Sequence, residues 1–193
     1  AKFAIMPGSR PAEIGSLWKP MQQIALRIRE KYAEATFVTV AVDARRRQLL
    51  QDSQIPGFEC EYSVDSVNKT AGAVDFSIVT SGSATLEVAA AGCPMVIMYQ
   101  SNRTLWHLFG RWLIKTKYLS LVNILAGKEL VPEFMPYFTS IDPILASIEG
   151  LLQERDELGK LSRKLTDLTT PLAEKKACAE TAKIALRELR MEN

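Results

Sequence analysis

The feature that most constrains this chain is a rhythm. Apolar runs of strand-forming residues alternate with amphipathic stretches of helical period. Runs such as FVTVAV (residues 37–42) and PMVIMY (residues 94–99) are almost unbroken by polar residues. Strands of that kind need cover on both faces, as in a parallel sheet. The pattern predicts five strands, at residues 3–6, 36–42, 58–62, 75–80 and 94–99, with helices at 13–32, 44–51, 66–71 and 85–91 between them. Such an alternation specifies a doubly wound, Rossmann-like α/β sheet with right-handed crossovers.

Beyond residue 140 the character changes. The sequence becomes rich in Leu, Ala, Glu, Lys and Arg, with apolar positions at helical spacing (Ile144, Leu145, Ile148, Leu151, Leu152) and helix-start prolines at Pro143 and Pro171. Two units are therefore expected: a Rossmann-like domain over residues 1–140 and a helical tail over residues 141–193. The chain opens Ala1-Lys2, without Met, and enters a buried strand at once. This reads as a piece of a longer protein, its tail expected to cover an amino-terminal domain or to pair with a second copy.

Composition excludes several classes. The net charge of +2 over 193 residues, with no basic run longer than Arg45-Arg46-Arg47, argues against nucleic acid. Cys60, Cys93 and Cys178 are odd in number and widely spaced, which fits reduced thiols in a cytosolic compartment rather than disulfides or a zinc site. No apolar run approaches the roughly 20 residues that span a bilayer. A lone histidine, His107, leaves no room for a Ser-His-Asp triad, and the glycine spacing matches neither a dinucleotide fingerprint nor a Walker loop.

In an open parallel sheet, ligands bind beyond the carboxyl ends of the strands. Polar and glycine-containing segments fall there repeatedly. PGSR (residues 7–10) follows the first strand, and SGSATLE (residues 81–87) follows the fourth. In the first, Gly8 permits close backbone approach, Pro11 suits a first helical turn, and Arg10 stands ready for a phosphate; the plainer reading is a capped turn with a solvent-facing arginine. In the second, Ser81, Gly82 and Ser83 place small residues at a helix start, and Thr85 adds a hydroxyl. Free N–H groups there suit a pyrophosphate. Glu87 has no capping-box partner, since Ala84 stands three residues earlier, and is placed to accept hydrogen bonds from a ribose diol. The plainer reading is a glutamate exploiting the helix dipole. Residues 104–118 combine Leu105, Leu108, Phe109, Trp112 and Leu113 with His107, Arg111 and Lys115. That pattern fits either core or a helix meeting an anionic membrane, through Trp106, Phe109, Arg111, Trp112 and Lys115.

PGSRPAEI, TSGSATLEVAAAGCPMVIMY and KYLSLVNILAGKELVPEF occur together in an order and spacing that resemble the carboxyl-terminal half of the lipid-A-disaccharide synthase family. The resemblance covers nearly the whole chain. It implies one half of a GT-B glycosyltransferase, which holds a UDP-sugar donor without a metal and works at the inner face of the cytoplasmic membrane of Gram-negative bacteria. The implied reaction passes a diacylglucosamine unit from UDP to lipid X. The general base lies in the other half, so none of the catalytic residues falls here and this half alone is expected to be inactive. The implied substrate-binding residues are Gly8, Ser9, Arg10, Ser81, Gly82, Ser83, Thr85 and Glu87, with Asn123, Lys128 and Glu129 farther on. The chain departs from the family pattern at Ser83 (threonine), Val122 (the proline of SLPN), Lys128 (arginine) and Pro136 (glutamine). A lysine keeps charge but loses the planar fork of arginine. Two other readings stand beside this one: another GT-B domain using UDP-N-acetylglucosamine, as transferase or epimerase, and a non-catalytic nucleotide-sugar-binding module that dimerises through its helices.

Overall fold

The computed structural model describes residues 1–101 and 116–174. Six parallel strands form one sheet in the order β3-β2-β1-β4-β5-β6. They are β1 (Lys2–Met6), β2 (Thr36–Ala41), β3 (Glu61–Val64), β4 (Phe76–Thr80), β5 (Met95–Met98) and a two-residue edge strand, β6 (Glu133–Phe134). The helices are α1 (Pro11–Lys31), α2 (Ala44–Asp52), α3 (Val67–Ala71), α4 (Ala84–Ala90), α5 (Leu121–Ala126), α6 (Asp142–Gln153) and α7 (Arg155–Glu174). The strand order reverses between β1 and β4, which opens a crevice at their carboxyl ends.

Side-chain alternation divides the strands between two cores. Phe3, Ile5, Phe76 and Ile78 face α1, α2 and α6, whereas Ala4, Met6 and Val79 face α3, α4, α5 and α7. Aromatic residues concentrate on the first face. Phe3 stacks on Phe37 at 5.4 Å between ring centres, and Trp18 meets Phe58 edge-on at 5.5 Å. The Trp18 indole N–H donates to the Leu50 carbonyl at 3.0 Å, so its polar edge is not stranded in the core.

The expected boundary near residue 140 does not separate two cores among the described residues. Ile144, Leu145 and Ile148 of α6 sit in the first core, and Leu161 and Leu165 of α7 in the second. The helical stripe of α6 is met by the sheet itself. Residues 175–193 lie outside the described part. The expected strand at 58–62 also moves, to Glu61–Val64. Phe58 is apolar because it packs against Trp18, ahead of the strand.

Cys93 fills a buried position behind α4, where its sulfur lies 3.1 Å from the Ser77 hydroxyl. Burial pushes its thiol up to about 11, from an ordinary value of 9.0. The native state therefore keeps the proton after the unfolded chain has lost it. Stability from this group is complete below pH 9 and is expected to fall as pH rises toward 11. Thermal melts between pH 8 and 11 should show a steeper loss in the wild type than in Cys93→Ala.

Candidate functional site

A crevice of about 350 Å³ opens at the sheet reversal. Its walls come from the β1–α1 turn (Gly8, Ser9, Arg10, Glu13), the end of β2 (Val40, Ala41, Val42), Asp65 and Val67 after β3, and the β4–α4 turn (Thr80 to Ala84, with Glu87). Segments distant in sequence meet here because parallel strands deliver all their carboxyl ends to one edge. A second concavity of about 380 Å³ lies between α1 and α6, but its rim charges pair with one another, Lys31 with Glu149 at 2.7 Å and Arg27 with Glu30 at 3.3 Å.

The β1–α1 turn is built around Glu13. Its carboxylate accepts the N–H groups of Ser9 at 3.1 Å and Arg10 at 3.2 Å, and its side chain is only 13% exposed. The close approach that Gly8 permits, at φ +101°, is thus to this internal carboxylate. Arg10 itself is 78% exposed and touches Glu13 only loosely, at 3.4 Å, which leaves its guanidinium available to an anion in the crevice.

The β4–α4 turn is arranged differently. The Ser81 N–H is spent on the Met98 carbonyl at 2.9 Å, and those of Thr85 and Leu86 close turns onto Gly82 and Ser83. Among the described residues, the N–H groups of Gly82, Ser83 and Ala84 have no acceptor. Thr85 is fully buried and donates its hydroxyl to the Gly82 carbonyl at 2.7 Å; it shapes the turn and does not face the crevice. The Glu87 carboxylate lines the crevice, is exposed, and has no hydrogen-bond or ion-pair partner among the described residues.

The structure does not bring Asn123, Lys128 and Glu129 into this crevice. Asn123 is wholly buried, and its amide is saturated. Its Nδ2 donates to the Val131 carbonyl at 2.8 Å and to Glu133 at 2.9 Å, while its Oδ1 accepts the N–H groups of Leu130 at 2.8 Å and Val131 at 3.0 Å. No capacity remains for a ligand. Lys128 and Glu129 are exposed on the connection from α5 to β6. Trp106, Phe109, Arg111, Trp112 and Lys115 lie outside the described residues. Among the residues that sequence reading passed over, Val40 and Val42 add apolar wall, and Asp65 adds a carboxylate held at φ 46°. A non-glycine residue at positive φ beside a crevice is the kind of signal that sequence does not carry.

This geometry places the chain in a class. Solved structures that share the fold include a spinosyn rhamnosyltransferase, SpnG, complexed with thymidine diphosphate, at a TM-score of 0.57 and 15% identity over 89% of this chain and 42% of that one. A second, the GtfA/B complex, has a TM-score of 0.54 and 12% identity over 99% of this chain and 36% of that one. The fold is that of one half of a GT-B glycosyltransferase. A family model described as "LpxB: Lipid-A-disaccharide synthetase" matches residues 1–187. The chain belongs to the lipid-A-disaccharide synthase family. Relatives of that name come from Psychromonas ingrahamii, 34% identical over 78% of this chain and 40% of the relative, and from Serratia proteamaculans, 32% identical over 97% and 49%. The chain spans less than half the length of these relatives.

Proposed function

We propose that this chain is the donor-binding half of a glycosyltransferase that joins UDP-2,3-diacylglucosamine to lipid X and releases UDP. The observation that carries the reading is the pairing of unused N–H groups at Gly82, Ser83 and Ala84 with the unpartnered Glu87 carboxylate, in one crevice. The N–H groups and Arg10 would meet the diphosphate, and Glu87 would accept hydrogen bonds from the ribose diol. Val40 and Val42 give the base an apolar wall. As the sugar–phosphate bond breaks, negative charge grows on the departing UDP, and donors already in place favour that state over the ground state. The base that deprotonates the acceptor hydroxyl belongs to the other half of the enzyme, so this half binds without turnover.

On this reading the diphosphate charge is met by protein donors and needs no divalent cation. The partners are the nucleotide sugar, the lipid acceptor, the amino-terminal half and, through the tail, a second copy of the chain; the enzyme works at the inner face of the cytoplasmic membrane. Among the described residues no helix is long and apolar enough to cross a membrane.

Calorimetric titration of UDP into this chain tests the assignment. Wild type is expected to bind, with affinity unchanged by EDTA. Glu87→Ala and Arg10→Ala should each weaken binding roughly tenfold or more, the usual consequence of losing a hydrogen bond to a charged group. Unchanged affinity in both variants overturns the site.

A further inference from the structure

Thr80 closes β4 at the floor of the crevice. It is 5% exposed, and its hydroxyl has no hydrogen-bond partner. Two other buried hydroxyls among the described residues lack a partner, those of Tyr62 and Ser101, and neither lines the crevice. The other polar residues that are buried as a whole are partnered: Thr39 lies 3.2 Å from Cys60, Ser77 3.1 Å from Cys93, and Thr169 donates to the Leu165 carbonyl at 3.0 Å. A buried hydroxyl without a partner carries its full desolvation penalty, and native structures leave very few of them. Valine has the same shape and would avoid that penalty. Of the three unpartnered hydroxyls, this is the one whose residue lines the candidate crevice.

Its surroundings indicate what that use is. Phe76 and Ile78 of the same strand face the α1 core, and the two-residue period puts Thr80 on that side. Thr80 lines the crevice together with the turn that carries Arg10 and the segment whose N–H groups at Gly82, Ser83 and Ala84 are unused. Among the groups that line the crevice with it, Arg10 and these N–H groups are donors, whereas Glu13 is already engaged by the Ser9 and Arg10 N–H groups. We propose that Thr80 is a ligand-contacting residue whose O–H donates to a diphosphate oxygen of the bound nucleotide. The proposal rests on the donor-binding reading and adds to it a contact that fixes where the diphosphate sits.

Thr80→Val and Thr80→Ser separate the hydroxyl from the shape of the side chain. Thr80→Val should melt at or above the wild-type temperature, because it removes an unsatisfied buried group, yet bind UDP about tenfold more weakly. Thr80→Ser, which keeps the hydroxyl, should stay within about twofold of wild type. Uridine, which lacks the diphosphate, should bind wild type and Thr80→Val alike. If Glu87→Ala weakens UDP binding and Thr80→Val does not, the Thr80 contact is wrong while the crevice assignment stands. An equal loss for uridine overturns the diphosphate contact. Failure of the wild type to bind UDP overturns both.

Discussion

Replacing Asn123 with alanine is expected to destabilise the domain by about 3–5 kcal/mol, a large share of the roughly 5–15 kcal/mol that holds a domain of this size together. The substitution strips acceptors from the Leu130 and Val131 N–H groups and a donor from the Val131 carbonyl. It also removes one of the donors around Glu133, which gathers the N–H groups of Leu119 and Ser120 at 2.9 and 3.0 Å. This one amide ties the start of α5 to the approach of β6. Asn123→Asp has the same shape and should be at least as harmful at neutral pH, because a carboxylate oxygen would then face Glu133 and the Val131 carbonyl. Urea denaturation measures both variants. A loss below about 1 kcal/mol in Asn123→Ala would show that water replaces the amide.

Gly8→Ala is expected to cost about 2–4 kcal/mol and to weaken UDP binding at least tenfold. A Cβ at this position would lie 2.5 Å from Glu13 Oε2 and 2.9 Å from Glu13 Cβ, on a backbone at φ +101°. The carboxylate cannot swing aside without releasing the Ser9 and Arg10 N–H groups. The turn must therefore open, and it carries Arg10. Gly82→Ala is the informative contrast, since a Cβ there meets nothing within 4 Å and its φ is not positive. That variant should fold like the wild type, so any loss of UDP affinity in it reports the ligand's own proximity. Unfolding curves and titrations of the two variants side by side check the pair.

The sheet was legible because buried parallel strands must be apolar throughout, and α1 was legible from its period. What escaped had a local cause in each case. Phe58 mimics a strand residue because an aromatic in a core-lining turn has the same composition as one in a sheet. The strand β6 is two residues long and is held through its own Glu133 by the N–H groups of Leu119 and Ser120, so it has no pattern of its own. At Glu13 the sequence shows only an acidic residue in a first helical turn, and the structure adds that its carboxylate fills the turn ahead of it. Asn123 lies in a motif that reads as ligand-binding, yet its four hydrogen bonds all go to the fold. Thr80 is hidden at the end of an apolar run, where threonine passes for an ordinary strand former. Only burial without a partner distinguishes it.

The placement of Glu13 has a consequence for selectivity. Two helix beginnings, those of α1 and α4, open toward the same crevice, and each would by itself attract an anion. The protein has supplied its own counterion to the first. The crevice is therefore lopsided, with one seat of open N–H groups on the β4 side and, opposite, Arg10 beside a resident carboxylate. A molecule whose charge is gathered in its middle, with neutral groups at either end, suits such a seat. One that carries a second phosphate toward the α1 side would have to displace Glu13 or endure its repulsion, so discrimination is present before any contact with the neutral ends is made.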